Sequence, residues 1–288
     1  MDSSIIIVSW NVRDQLKRCL ESVFNSAGLT FEVIVIDNAS SDGSAQMVAE
    51  IFPDVRLIRN HRNAGFARAC NQGIKQSTGE TILLLNPDTI VQSHTIRSSV
   101  DFLHQTPDAG IVGCRIQFPD GRIQPSVRRF PDIVSHSLML LKIHNFFPRL
   151  KPLQKYYAWD FDYEKTQPVE QVMGAYYLIR RSLIDAIGMF DEDFYIWYEE
   201  VDYCYRARAH GWKTYYLSTT TIVHEKGASF KQRPPLRLQI IMGKSMLHYF
   251  RKHAGWPSVA ILSLFFCCSL LLSSIQTIFG IQKKRHEL

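Results

Sequence analysis

Three things are missing from this 288-residue sequence: a Cys-x-x-Cys pair, a Gly-x-Gly-x-x-Gly turn and a P-loop. Without the two glycine motifs, dehydrogenases and ATP-dependent kinases are disfavoured. The six cysteines, Cys19, Cys70, Cys114, Cys204, Cys267 and Cys268, keep no framework spacing and suit a reducing compartment, where they behave as small apolar residues. No internal repeat or low-complexity tract is present. No basic segment precedes the first apolar run, Ile5–Val8, which is too short for a signal sequence. It reads as a first β-strand, and the folded part is expected in the cytosol.

Charge disappears near the other end. From Pro257 to Ile281 no residue is charged, and Val259 to Leu272 is nearly all apolar. About 20 apolar residues cross a bilayer as helix. Residues 257–281 are therefore a candidate transmembrane helix, diluted by Ser263, Ser269, Ser273, Ser274 and Gln276. Lys244, Arg251 and Lys252 precede it and Lys283, Lys284 and Arg285 follow, which leaves orientation undecided. A buried or re-entrant helical hairpin is the competing reading.

What is present fits a globular enzyme: 46% hydrophobic and 21% charged residues. A net charge of +6 favours anionic partners, among them nucleotide substrates and acidic lipid. The basic residues are dispersed and no recognition motif occurs, so a nucleic-acid partner is not expected.

The first 115 residues alternate strand and helix. Strands are predicted at Ile5–Val8, Glu32–Asp37, Val55–Asn60, Thr81–Leu85 and Gly110–Cys114. Helical patterns lie between them, the clearest being Leu16, Cys19, Leu20, Val23 and Phe24. This rhythm predicts a doubly wound, mostly parallel α/β sheet with ligands beyond the carboxyl ends of its strands. After Cys114 the rhythm breaks. A hairpin is predicted around Pro119-Asp120-Gly121, then an irregular, basic and aromatic stretch over 130–168. Strands return at Val169–Met173, Tyr176–Arg180 and Lys213–Leu217, with helices at Ser182–Ile187 and Glu199–Ala209.

The residues that follow the strands can carry chemistry. Ser9, Trp10 and Asn11 follow the first strand and Asp37 ends the second. A carboxylate there accepts from a base or ribose, and an aromatic stacks, although turn capping and plain packing compete as explanations. Asn63, Gly65, Arg68 and Asn71 open the third helix, where a glycine and a helix N-terminus admit phosphate. Asn86 and Asp88 follow the fourth strand, and Asp88 could hold a divalent cation or cap a helix. Glu199, Glu200 and Asp202 crowd one helix start behind Trp197 and other aromatics, and His224 ends a late strand.

Six ordered segments, VSWN, VIDNASSDGS, NAGFARACNQG, LLLNPD, GMFDEDFYIWYEEVDYCYRARAHGW and VHEKGAS, together resemble inverting glycosyltransferases of the GT-A fold, family 2 type. Within that family they are similar to bacterial rhamnosyltransferase-type enzymes of polysaccharide assembly and cell wall biogenesis. The resemblance covers about residues 4–230. It implies that Ser9, Trp10, Asn11 and Asp37 hold the nucleotide base, and that Asn63, Gly65, Arg68 and Asn71 line the donor pocket. The family's Asp-x-Asp motif maps onto Asn86-Pro87-Asp88, where Asn replaces the first Asp. Asp88 and His224 then become ligands for Mg²⁺ or Mn²⁺. The family's Glu-Asp pair reads Glu199-Glu200, with Glu200 as base, Asp202 as catalytic helper, and Trp197, Glu199 and Arg206 toward the acceptor. The implied donor is a dTDP- or UDP-linked sugar and the implied acceptor a lipid-linked saccharide.

On this reading residues 1–115 form the nucleotide-sugar half and 116–232 the acceptor half of one domain. Residues 233–288 attach it to the cytoplasmic face of the inner membrane. A nucleotidyltransferase-like enzyme or an inactive scaffold on the same fold are the alternatives.

Overall fold

A computed structural model describes residues 1–225, 232 and 234–278, with side chains through Ser274. Four strands, β1 (Ser3–Ser9), β2 (Phe31–Asp37), β3 (Arg56–Arg59) and β4 (Thr81–Leu85), pair in parallel in the order β3-β2-β1-β4. The isoleucine run of β1 is buried on both faces, as a strand covered on two sides requires. Ile5 and Ile7 pack in one core with Leu16 and Leu20 of helix α1 (Arg13–Phe24) and Met47 of α2 (Ser44–Ile51). Ile6 points the other way, to Ala67 and Cys70 of α3 (Phe66–Gln76). Gly73 of α3 allows this close approach, since a methyl there would lie 2.6 Å from the Ile6 side chain.

The sheet continues through β10 (Tyr176–Arg180), β6 (Ala109–Gln117), β11 (Lys213–His224) and β5 (Thr89–Val91), with β8 (Gln167–Val169) also on β11. β10 runs antiparallel to both neighbours, and β6 and β11 are parallel to each other. Helix α4 (Thr95–Gln105) lies on the α1 face, and α7 (Arg181–Ile187) and α8 (Glu199–Ala209) on the α3 face. The architecture is the predicted doubly wound, mostly parallel sheet. Because β10 inserts between β4 and β6, the two halves divided at residue 115 share one sheet.

Four elements differ from the sequence pattern. β5 is too short, at three residues, to show a periodicity. The hairpin near Gly121 keeps one bridge, Gln117 to Ile123. The following β7 (Val127–Arg128) pairs instead with β9 (Gln171–Val172), because Gly113 leaves room for Val172 on β6. The stretch predicted to be irregular contains α5 (Ile133–Leu140), capped by the Asp132 carboxylate on Ser135 N, a 3₁₀ turn at Ile143–Asn145 and α6 (Lys151–Tyr156). β11 runs past Leu217 to His224 through a register shift.

The C-terminal helix α9 (Pro235–Ile278) begins well before the predicted 257–281, whose last residues lie outside those described. It is long and apolar enough to cross a membrane by length and composition. Yet it is not a rod. Gly255 takes φ 77°, ψ 176°, a conformation suited to glycine, and Pro257 starts a second arm. Gln239 Nε2 donates to Ser269 Oγ at 2.9 Å, and a methyl on Gly243 would collide with the Phe266 ring. In a straight helix those 30 positions would stand about 45 Å apart. The two arms therefore fold back on one another.

Candidate active site

Parallel pairing brings Ser9 and Asp37 opposite each other at the carboxyl ends of β1 and β2. Both are buried, and both keep a polar atom without a protein partner, Ser9 Oγ and Asp37 Oδ1. The other Asp37 oxygen accepts from Ser40 N at 3.0 Å, which fixes the carboxylate while leaving Oδ1 available. A buried oxygen left this way is costly unless a ligand supplies the hydrogen. Trp10 follows, half-buried.

One strand further, about 5 Å on by ordinary strand spacing, β4 ends at Asn86 and Asp88. Asn86 is held through its backbone: its N–H donates to Ala175 O at 3.1 Å, and its carbonyl accepts from Thr89 Oγ1 at 2.7 Å. Antiparallel pairing of β5 with β11 places Thr89 opposite His224, so Asp88 meets the imidazole. His224 Nε2 lies 3.3 Å from Asp88 Oδ1, and both side chains are nearly buried. His224 Nδ1 faces Gln124 Oε1 at 3.1 Å. If Nδ1 donates its hydrogen to Gln124, Nε2 presents a lone pair toward a carboxylate, an arrangement that a cation resolves. Ligand atoms about 2.1 Å from one ion sit roughly 3 Å apart, so the pair fits a divalent ion with room for diphosphate oxygens. Gln124 carries no motif and stands a hundred residues from His224, so sequence reasoning passed over it.

The third station is the start of α8. Trp197 and Tyr198 both have left-handed backbone, φ 66° and 69°. Such strain persists only where the surroundings impose it. Here Ile196 O accepts from Ser245 Oγ at 2.9 Å, and Tyr198 OH meets His136 Nε2 at 2.9 Å. The turn presents Glu199 and Glu200. Burial lifts Glu199 well above the ordinary carboxylate range, and the Glu200 charge lifts it further. Burial also raises Glu200, opposed by backbone N–H groups at the helix start and by a hydrogen bond from Glu199. Of the two, Glu199 is held further from ionisation than Glu200. Glu200 is half-exposed, and its Oε2 has no protein partner. A methyl on Gly174 would stand 3.9 Å from Glu200 Cγ, and the next residue, Ala175, holds Asn86. The metal-ligand edge and the carboxylate pair are thus joined through one short segment.

Several predicted site residues have other work. Asn11 Oδ1 accepts from Ser41 N at 2.7 Å, so the side chain holds the turn after β2, and its backbone carbonyl accepts from Gln232 Nε2 at 2.7 Å. Asn63 Oδ1 accepts from Gly65 N and Tyr195 OH. Gly65, at φ 90°, is packed against Tyr195, whose carbonyl would lie 2.6 Å from an added methyl. Arg68 pairs with Glu192 at 2.7 Å. Buried Asn71 exchanges hydrogen bonds with the backbone of Phe190. The NAGFARACNQG segment, expected to line the donor pocket, thus anchors the loop leading to Glu199.

Asp202 and Arg206 change role most. Two residues along a helix lie on opposite faces, so Asp202 points away from Glu200. It is wholly buried and meets Arg206 Nε at 2.9 Å, Lys252 Nζ at 2.7 Å and His253 Nε2 at 2.8 Å. Burial alone would raise this carboxyl, but hydrogen bonds from His253 and Lys252 and the Arg206 charge hold it below the ordinary range. Arg206 also donates to Ile187 O and Met189 O, so it anchors the helix to the preceding turn. Gly227 to Ser229 lie outside the described residues.

The model of the family described as "Glycosyl transferase family 2" matches residues 4–187, and the chain belongs to that family. A relative in Mycobacterium tuberculosis, N-acetylglucosaminyl-diphospho-decaprenol L-rhamnosyltransferase, is 27% identical over 263 residues, covering 88% of this chain and 85% of that one. The mannosyltransferase PcManGT from Pyrobaculum calidifontis, solved with GDP-Man and Mn²⁺, superposes with a TM-score of 0.60 at 17% identity, over 99% of this chain and 76% of that one. S. aureus TarS superposes with a TM-score of 0.57 at 15% identity over 87% of this chain, which spans only 40% of that longer protein. These likenesses establish the GT-A fold.

Proposed function

We propose that the chain moves a hexose, rhamnose by analogy with the mycobacterial relative, from a dTDP- or UDP-linked donor to a hydroxyl of a lipid-linked saccharide. The observation that carries this reading is a row of polar groups along one sheet edge. Ser9 Oγ and Asp37 Oδ1 offer unpartnered acceptors for the nucleoside, Asp88 and His224 stand one strand further, and Glu200, with Oε2 unpartnered, lies beyond them. Glu200 takes the proton of the acceptor hydroxyl as that oxygen attacks the anomeric carbon from the face opposite the diphosphate, so configuration inverts. Glu199, protonated, holds Glu200 in place and keeps the pair from carrying two charges. Asp88 and His224 would hold Mg²⁺ or Mn²⁺, which supplies charge neutralisation at the departing diphosphate. The mycobacterial relative is named for a decaprenol diphosphate sugar, and this together with the apolar α9 supports work at the cytoplasmic face of a membrane.

The test is a panel of nucleotide sugars read by nucleotide diphosphate release, with and without EDTA. Release from one dTDP- or UDP-sugar, abolished by EDTA and restored by Mn²⁺, is the expected result. Release of pyrophosphate instead would mark a nucleotidyltransferase, and silence across the panel with intact folding would mark a scaffold. Activity indifferent to EDTA would remove the cation from the scheme.

A further inference from the structure

We propose that the outer face of the α9 hairpin and the loop around Phe146–Lys151 form one docking surface that seats in a single leaflet of an anionic phospholipid bilayer without crossing it. This rests on the membrane part of the reading above and replaces a spanning helix with a monotopic one.

The first argument is mechanical. The first arm of α9 is tied to the catalytic body: Ser245 to the Ile196 carbonyl, His248 and Lys252 to Asp191 at 3.0 and 2.8 Å, and Lys252 and His253 to buried Asp202. The second arm is tied to the first by Gln239 and Ser269, and near its end Ser273 Oγ accepts from Lys142 Nζ at 2.9 Å. Swinging the second arm out to span a bilayer would break the helix-to-helix contacts. Swinging out both would strip Asp202 of Lys252 and His253.

The second argument is what the bound arms leave uncovered. Ile261, Leu264, Leu271 and Leu272 recur at helical spacing and are exposed, Leu264 and Leu271 by about two thirds (64% and 66%). Trp256 at the hairpin tip is 70% exposed. Phe146 and Phe147, four and five residues beyond Lys142, are 70% and 63% exposed. Two adjacent open phenylalanines beside an open leucine stripe suit an interfacial membrane contact.

Charge names the occupant. The chain has 27 acidic residues, yet none falls in residues 133–159 or 235–278. Those two stretches carry Lys142, Arg149, Lys151, Lys155, Arg237, Lys244, Arg251 and Lys252. Arg149, Lys151, Lys155, Lys244 and Arg251 are exposed. An apolar face flanked by these cations attracts an anionic headgroup layer, whereas a second copy of the chain would bring like charges together.

The test uses the full chain. It should float with vesicles of phosphatidylcholine and phosphatidylglycerol, bind pure phosphatidylcholine at least tenfold less, and release in high salt. Leu264→Asp with Leu271→Asp, or Phe146→Asp with Phe147→Asp, should each lower the bound fraction about tenfold while donor hydrolysis in solution stays intact. In inside-out membrane vesicles from expressing cells, an epitope placed after Leu288 should be cut by added protease. An epitope protected until detergent is added would overturn the monotopic reading. So would variants that float normally, or variants that only dissolve a dimer. Flotation as expected with no sugar released from any donor would sink the transferase reading and leave this surface standing.

Discussion

The edge at β1 and β2 and the helix α8 teach opposite lessons about polar residues. At the edge, Ser9 and Asp37 are buried with an oxygen each left unpartnered, so each keeps hydrogen-bonding capacity after the fold has formed. Along α8, Asp202 is wholly buried, and Arg206, Lys252 and His253 occupy its oxygens. Both aspartates sit in recognisable motifs. The difference is whether hydrogen-bonding capacity remains once the fold has formed. Glu200, two positions from Asp202 on the same helix, falls on the first side of that division.

The largest expected effect breaks or keeps that contrast directly. Glu200→Gln removes the carboxylate assigned to proton transfer and should lower turnover by about 10²–10⁴-fold, with donor binding by calorimetry unchanged. Glu199→Gln copies the protonated state of its neighbour and should keep most of the activity. Full turnover in the first variant, or loss only in the second, would reverse the assignment within the pair.

Asp202→Asn should act through stability. Removing the charge leaves Arg206 without a carboxylate partner in the interior, which costs about 3–5 kcal/mol for a broken buried pair. Lys252 is 29% exposed and keeps Asp191, so the lower end is expected. Urea denaturation reads the loss, and turnover per folded molecule should stay near wild type. A stable but inactive Asp202→Asn would put this residue back in the chemistry.

His136 comes next. Burial lowers its imidazole from 6.5 to about 4 and keeps it neutral. Its Nδ1 faces the Asp132 carbonyl, leaving Nε2 to accept from Tyr198. A lowered pKa on a base means the stabilisation is whole above about pH 6.5 and drains away as pH falls toward 4. The full span corresponds to about 3 kcal/mol. His136→Gln, which retains an acceptor, should flatten that slope in urea titrations between pH 6.5 and 4.5. An unchanged slope would place the acid sensitivity elsewhere.

The sheet was legible because β1, β2 and β4 each declare themselves by a buried β-branched or leucine run, and five of the six motifs lie at or just after the ends of strands. Asp88 with His224 could be marked as candidates for that reason, and Glu200 by its place in an acidic helix start behind aromatics. The split between working and anchoring residues was not legible. Nothing in NAGFARACNQG says that Asn71 will face the backbone of Phe190, a contact 119 residues away. Nor does local spacing separate Glu200 from Asp202 until the neighbours of α8 are known. The uncharged C-terminal stretch was read correctly as apolar helix. Its reversal at Gly255 depends on contacts between arms, although Gly255-Trp256-Pro257 is a stop-and-restart signal that could have raised the hairpin above the span.

The smallest effect concerns the residue that no motif marked. Gln124 touches neither donor nor acceptor in the proposed scheme. Its Oε1 fixes the His224 ring, and its Nε2 has no partner among the described residues. A glutamine in this place orients an imidazole as a carboxylate would, without adding a charge beside Asp88. Gln124→Ala should therefore raise the Mn²⁺ concentration for half-maximal activity about 10–100-fold and leave turnover at saturating Mn²⁺ little changed. Gln124→Glu should restore ring orientation and bind the ion more tightly than Gln124→Ala. A Gln124→Ala enzyme that loses turnover at every Mn²⁺ concentration would show instead that Gln124 belongs with Ser9 and Asp37, holding a group of the donor itself.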